Sequence, residues 1–355
     1  MIRALGLALY GQLAASTRYR LGQYVPGLRE LGIDLQIRSL LGDDYLQRRF
    51  DGGPLPLGSM LRDSVSRLQQ LREQKRFDAA IVYCEVFPLL PAVLERALLR
   101  LPYVYDMDDA FYLRYRIGLK RVLEPLLGDK FDKVMQRAAA VTAGNRTLAD
   151  YAGVHNRNVT ELPTVVDTDR YVPRPQRKPG VFTVGWIGSP STSVYLNELV
   201  EPLSRLGREL TLRLVLVGGK APAPIPNVDV LEIPWQEESE VDLINTFDVG
   251  VMPLTDDPWA RGKCAFKLIQ YMACGVPAIA SPVGANVDVL TPGCGLMAAN
   301  AAEWMAALRE LQSDASRRLT MGEAARQRVV EHYSLAGSVP RFADVIRGAA
   351  RSASP

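Results

Sequence analysis

Short apolar runs alternate with helical segments twice along this chain, and that rhythm limits what it can fold into more than any total does. IRALGLAL (2–9), IDLQIRSL (33–40), DAAIVYC (78–84), PYVYDMD (102–108) and AAAVTAG (138–144) read as strands. The last three are nearly continuous apolar runs, the pattern of strands buried on both faces of a parallel sheet. Between them RYRLGQYVPGLRELG (18–32) reads as a helix ending at Gly32. SMLRDSVSRLQQLREQ (59–74) has helical spacing through Leu61, Val65, Leu68 and Leu71.

LPTVVDTDRYVPRPQRKPG (162–180) breaks the rhythm with Pro163, Pro173, Pro175, Pro179 and a basic cluster, and reads as an interdomain linker. The alternation then restarts. VFTVGWIG (181–188), LRLVLVGG (212–219), VDVLEIPW (228–235) and FDVGVMPL (247–254) read as strands, with helices expected at 195–209, 237–246, 301–311 and 314–332. Two successive series of this kind predict an α/β protein with two doubly wound domains. A length of 355 residues also favours two cores. Open parallel sheets bind ligands at the carboxyl ends of their strands, so the cleft between two such domains is the natural site.

The totals mainly exclude. A net charge of +3 does not argue for nucleic acid. No apolar run approaches the roughly 20 residues that span a bilayer. Met1 leads straight into a strand-like run, so no leader is expected. Cys84, Cys264, Cys274 and Cys294 form no C-x-x-C pair, and His155 and His332 are the only histidines. No metal cluster assembles from these spacings; reduced, buried thiols and a cytoplasmic location are expected.

Two segments have the makings of a phosphate site. In GWIGSPSTSVYL, Gly188 permits a tight turn, and Ser189, Ser191 and Thr192 precede a helix. Backbone N–H groups at such a start suit a phosphate; plain N-capping is the alternative. In GKCAFKLIQYMACGVPAIAS (262–281), Lys263 and Lys267 bracket the start of a helix. Cations there oppose the helix dipole unless an anion sits on them. A diphosphate would neutralise both; a solvated basic corner is the other reading. Gln270 follows one turn later and is able to donate to or accept from a ribose hydroxyl. Gly275 ends the helix.

FKLIQYMACGVPAIASPVGANVDVL resembles the nucleotide-sugar-binding segment of the GT-B glycosyltransferases, specifically the retaining family 4 (group 1) enzymes. VYDMDDA, VTAGNRTLADYA, LPTVVDTDRY, GWIGSPST, LVLVGG and FDVGVMPL follow in the matching order. The resemblance implies two Rossmann-like domains facing across a cleft: 1–170 on the acceptor side, a linker 171–180, and a donor domain 181–333. It also implies that 334–355 crosses back to pack on the first domain. Carried over residue by residue, Ala265, Phe266 and Lys267 fall at the diphosphate and Gln270 at the ribose. Gly188, Ser189, Ser191 and Thr192 fall on the phosphate-side loop, and Ile233, Pro234 and Trp235 beside the base. The family's two glutamates, eight positions apart, correspond here to Gly262 and Gln270, with Asp256 and Asp257 nearby. Because a carboxylate also accepts from ribose hydroxyls, Gln270→Glu is expected to keep donor binding.

On the acceptor side, Asp106, Asp108 and Asp109 crowd one strand end, where repulsion raises at least one pKa. They read as a sugar-hydroxyl clamp, with Asp109 catalytic beside Lys263 and Lys267, or as a helix start paired to arginines. Arg18 and Arg20 follow the first strand, at the cleft or on a solvated flank. FYLRYRIGLKRVLEPLL (111–127) reads as an amphipathic helix, packed on the core or resting on an anionic membrane surface.

The expected activity is retaining, metal-independent transfer of a sugar from a nucleotide diphosphate, of UDP or GDP type, to a glycan or lipid-linked glycan. No cofactor and no nucleic-acid partner are expected. The location is cytoplasmic, with peripheral contact at the inner membrane face as the alternative. Two other readings compete: a nucleotide-sugar epimerase of the same fold, and a non-catalytic nucleotide- or glycan-binding protein, suggested by Gly262.

Overall fold

The computed structural model describes the chain except Asp51, Leu55, Pro175–Pro179 and Ala353–Pro355. Five residues of the proline-rich linker reading thus lie outside the described residues. The chain divides into two compact units. One comprises Met1–Thr164 with Leu335–Pro355, the other Val165–Ser334.

The first unit is built on six parallel strands: β1 (Ile2–Tyr10), β2 (Ile33–Leu41), β3 (Ala79–Tyr83), β4 (Tyr103–Met107), β5 (Ala140–Ala143) and β6 (Val159–Glu161), in the order β2-β1-β3-β4-β5-β6. All of β3 is buried, as is β4 from Val104 to Met107. Such strands need helices on both faces, and the crossovers between parallel neighbours supply them. The C-terminal helix Leu335–Arg351 belongs to this unit. Phe342 meets Tyr24 edge-on at 5.0 Å, and Val339 packs over Gly27, where a Cβ would come within 2.9 Å.

The second unit repeats the plan with β7 (Phe182–Ile187), β8 (Leu212–Val217), β9 (Asp229–Ile233), β10 (Val249–Met252), β11 (Ala278–Ala280) and β12 (Gly295–Met297). Their order is β12-β11-β10-β7-β8-β9, again all parallel. The chain runs outward from β7 to β9, then returns to β10 on the other side of β7. That reversal makes β7 and β10 the switch point, where open α/β sheets take ligands. Trp186, Trp304, Leu203 and Leu308 anchor the core. Each such side chain contributes roughly 1.5–3 kcal/mol by leaving water.

The α/β class read from the sequence is therefore observed in both units; several helices differ. The stretch 18–32 is split into Ala15–Arg20, a 3-10 turn Gly22–Tyr24, and Val25–Glu30. Residues 111–127 form two 3-10 segments, Phe111–Leu113 and Gly118–Leu123, and one helical turn, Glu124–Leu127. Gly118 at φ +63° breaks that segment.

Candidate functional site

In the second unit, three strand ends meet one helix start. Gly188 follows β7, and its N–H donates to Val217 at the end of β8; Gly218 in turn donates to Ile233 at the end of β9. Both glycines are required by close approach. A Cβ on Gly188 would lie 2.6 Å from the Trp186 ring and 2.7 Å from Lys267 Cε. One on Gly218 would lie 2.5 Å from the Gly188 carbonyl oxygen and 2.9 Å from Trp235 Cβ. Gly188 thus serves by its lack of side chain, since it is not among the positive-φ glycines.

The helix Phe266–Ala273 follows β10. Its N-cap is Ala265 at φ +52°, an unusual left-handed conformation for a residue with a Cβ, held in a fully buried setting. Cys274, Gly275 and Val276 close the helix. Gly275 donates to Met272 and Val276 to Tyr271, with Gly275 at φ +68°, which is a Schellman end. Lys267 Nζ lies 5.4 Å from the centre of the Trp186 ring, and Lys263 Nζ lies 6.0 Å from that of Tyr195. Both lysines therefore face the segment that leaves β7. Phe266 is half-buried beside them.

That segment begins as a 3-10 turn, Pro190–Leu196, and the α-helix starts only at Asn197. Ser189 does not cap it through its side chain; its hydroxyl pairs with Ser191 Oγ at 2.9 Å, and Thr192 Oγ1 donates to the Ser189 carbonyl. Pro234 is exposed and Trp235 half-buried after β9.

Gln270 is only 4% exposed. Its Nε2 donates to Glu240 Oε1 at 2.9 Å and to the Tyr171 hydroxyl at 3.1 Å. Tyr171 and the Trp235 indole N–H also donate to Glu240. Sequence reading missed Glu240, because one buried acid among the residues QEESE carries no mark; Tyr171 was hidden in the linker. Gly262 caps the short helix Pro258–Arg261. The two nearby acids are engaged there: Asp256 forms a bidentate pair with Arg261, and Asp257 accepts from Ala260 N–H.

In the first unit, the three aspartates have different surroundings. Asp106 is fully buried, bonded by Arg20 Nε at 3.0 Å, Arg20 Nη2 at 2.5 Å and Thr142 Oγ1 at 2.6 Å. It is paired to an arginine beneath the strand end, so its polar atoms serve the framework. Asp108 accepts from the Tyr83 hydroxyl at 2.6 Å, and burial pushes its carboxyl up to about 6 against the opposing effect of Arg20. Asp109 is half-buried, with Ala110 N–H on its Oδ1 at 3.1 Å. Arg18 clamps its own loop, donating to the Gln12 and Leu13 carbonyls. Deeper still, Glu85 accepts from Arg114, Tyr115 and Lys130, and Lys130 also pairs with Glu95 at 3.0 Å.

Two parallel six-stranded sheets, each with its helices, are the plan of the GT-B fold, and similar solved structures share it. Residues 179–314, within the second unit, match the family described as Glycosyl transferases group 1. No curated protein matches the chain significantly in sequence. Among solved structures, a sucrose-phosphate synthase from Thermosynechococcus elongatus is similar at TM-score 0.75 and 14% identity, over 99% of this chain and 100% of that one. HepE of Anabaena, solved with UDP and glucose, gives 0.70 and 13%, over 98% and 100%. WaaG, a glycosyltransferase involved in lipopolysaccharide biosynthesis, gives 0.66 and 15%, over 98% and 100%.

Proposed function

We propose that the protein is a retaining glycosyltransferase that moves a sugar from a nucleotide diphosphate to a glycan or lipid-linked glycan. The second unit holds the donor and the first supplies acceptor-side groups. The observation that carries this reading is the pair of lysines at one helix start, both turned toward the glycine-bearing segment after β7. Two cations there oppose the helix dipole, and a diphosphate reverses the sign of that interaction. The Anabaena neighbour, solved with UDP and glucose, supports a nucleotide of this type.

In the reaction, the bond from the sugar's anomeric carbon to the diphosphate oxygen breaks and one to the acceptor oxygen forms. The acceptor's proton passes to the leaving phosphate. Lys263, Lys267 and the first turn of Phe266–Ala273 stabilise the charge that develops on that phosphate. Ser189, Ser191 and Thr192 line the same segment, and Pro234 and Trp235 stand on the base side. Asp108 and Asp109 receive acceptor hydroxyls. We read the reaction as independent of a metal or cofactor.

The acceptor-side unit also carries an apolar face suited to a lipid surface. Leu119 is 99% exposed, Val122 81% and Leu126 61%, with Lys120 and Arg121 beside them. Arg114 and Arg116 of the same segment turn inward, to Glu85 and Asp132. Among the described residues no helix is long and apolar enough to cross a membrane, so the contact we infer is peripheral. The four cysteines are buried and free of disulfides, in keeping with a cytoplasmic enzyme.

The direct test is a panel of UDP-, GDP- and dTDP-sugars, read first by thermal shift and then by acceptor-dependent release of the diphosphate. Isomerisation of the donor without an acceptor would replace this reading with an epimerase. Nucleotide binding with no turnover on any acceptor would favour the binding-only reading that Gly262 suggests.

A further inference from the structure

Glu240 opens the helix Glu240–Ile244 and is only 2% exposed. A carboxylate at that depth needs its lone pairs filled. Its Oε1 accepts from Gln270 Nε2 at 2.9 Å and from the Tyr171 hydroxyl, and its Oε2 accepts from Trp235 Nε1. Gln270 Nε2 also donates to the Tyr171 hydroxyl at 3.1 Å.

One N–H of the Gln270 amide is shared between Glu240 Oε1 and the Tyr171 hydroxyl, which lie too close together to take one N–H each. The tyrosine's single proton and the indole's single proton both go to Glu240. Both Glu240 oxygens accept from O–H and N–H donors here, so the nitrogen of Gln270, not its oxygen, faces them. The amide oxygen Oε1 therefore turns away from Glu240.

We propose that Glu240 is the positioning residue of the donor site. It turns Gln270 so that an acceptor oxygen meets a hydroxyl of the nucleotide's ribose, and through Trp235 it holds the base-side wall beside Gly218. The inference rests on the donor reading above. It also changes what position 270 tolerates. A glutamate there would set two carboxylates about 3 Å apart, which cannot both ionise at little cost, and would leave Tyr171 and Glu240 without their amide donor. Gln270→Glu is thus disruptive, contrary to the expectation from hydroxyl acceptance alone.

Exchanging the two groups restores every bond. In Glu240→Gln/Gln270→Glu, the new amide donates to the carboxylate at 270, its oxygen accepts the Trp235 indole, and Tyr171 donates to the carboxylate. The test measures melting temperature and calorimetric binding of UDP and GDP, each against its 2′,3′-dideoxy form, for the wild type, both single variants and the exchange. Gln270→Glu should weaken the ribonucleotide at least tenfold and lower the melting temperature. Glu240→Gln should reduce the preference for ribo- over dideoxyribonucleotide. The exchange should recover affinity to within threefold, melting temperature and preference together. A Gln270→Glu protein equal to the wild type, a Glu240→Gln protein with full ribose preference, or an exchange no better than Gln270→Glu would each overturn the proposal. A wild type that binds neither nucleotide defeats the donor reading itself, and the ribose role with it. Tight wild-type binding that ignores the exchange defeats only the role of Glu240.

Discussion

Lys267 and Gly188 are fitted to each other: the Cε of the lysine would lie 2.7 Å from a Cβ on the glycine, while its Nζ rests 5.4 Å from the centre of the Trp186 ring. Trp186 is 1% exposed and has no room to retreat. Gly188→Ala should therefore displace the lysine and strain the ring, costing about 1–3 kcal/mol of stability, as overpacking does. Lys267→Ala should instead leave stability nearly unchanged and remove a charge-assisted contact of roughly 1.5–3 kcal/mol. Calorimetry with UDP and uridine, or GDP and guanosine, checks the second point. Equal losses for diphosphate and nucleoside would remove the lysine from the phosphates.

The Arg20–Asp106 pair makes a stability prediction. Both side chains are buried, and Arg20 also donates to the Leu162 carbonyl and Thr164 Oγ1. Arg20→Met should cost about 3–5 kcal/mol in urea unfolding, because it leaves the Asp106 charge buried and unpaired. A loss below about 1 kcal/mol would mean that Asp106 is reached by water and is available to substrate after all.

Asp108 predicts a pH dependence of stability. Its carboxyl titrates near 3.8 when unfolded and is pushed up to about 6 when folded, chiefly by burial. Between those values the folded state binds more protons, so its stability falls as pH rises from about 4 to 6, then levels. Asp108→Asn should flatten that slope and stabilise the protein at pH 7 by about 1–3 kcal/mol, since the amide oxygen still accepts from Tyr83. Unfolding curves from pH 4 to 8 decide it. An unchanged slope in the variant would assign the effect elsewhere.

The architecture was legible because the sheets are buried on both faces. DAAIVYC and PYVYDMD announce β3 and β4 with no competing helical period, and Gly275 marks its helix end through a backbone angle that few other residues accept. What stayed hidden depends on partners distant in sequence. Asp106 and Asp108 look alike in YDMDD, yet one is paired to Arg20, 86 residues away, and the other rests on Tyr83. Glu240 differs from its acidic neighbours only by what it meets after folding. Gln270 shows the same limit: its spacing points to a ribose, but only Glu240 and Tyr171 reveal which end of the amide is on offer.

The exposed apolar face of the first unit predicts reversible attachment to anionic bilayers. Burying Leu119 and Val122 in lipid is worth roughly 1.5–3 kcal/mol for each, with Lys120 and Arg121 adding attraction that salt weakens. Leu119→Asp/Val122→Asp should reduce sedimentation with phosphatidylglycerol vesicles at least tenfold and leave the melting temperature within a few degrees. Vesicle binding unchanged by the double variant would rule out this face, and no binding by the wild type would rule out the membrane contact.

The reaction course is the prediction that exposes most. In the proposed reaction the leaving diphosphate gains negative charge as its bond to the sugar lengthens, and Lys263 and Lys267 would act on that charge more strongly in the transition state than on the bound donor. Removing both lysines should therefore lower turnover at saturating donor as well as donor affinity. If the leaving phosphate collects the acceptor's proton on the face it departs from, attack comes from that same face and the α configuration of the donor is kept. The anomeric proton coupling of the product in NMR reads this directly. A β-linked product from an α-linked donor would defeat the retaining assignment. Activity is expected to survive EDTA; its loss, with recovery on adding Mg²⁺ or Mn²⁺, would transfer part of the charge stabilisation from the lysines to a metal.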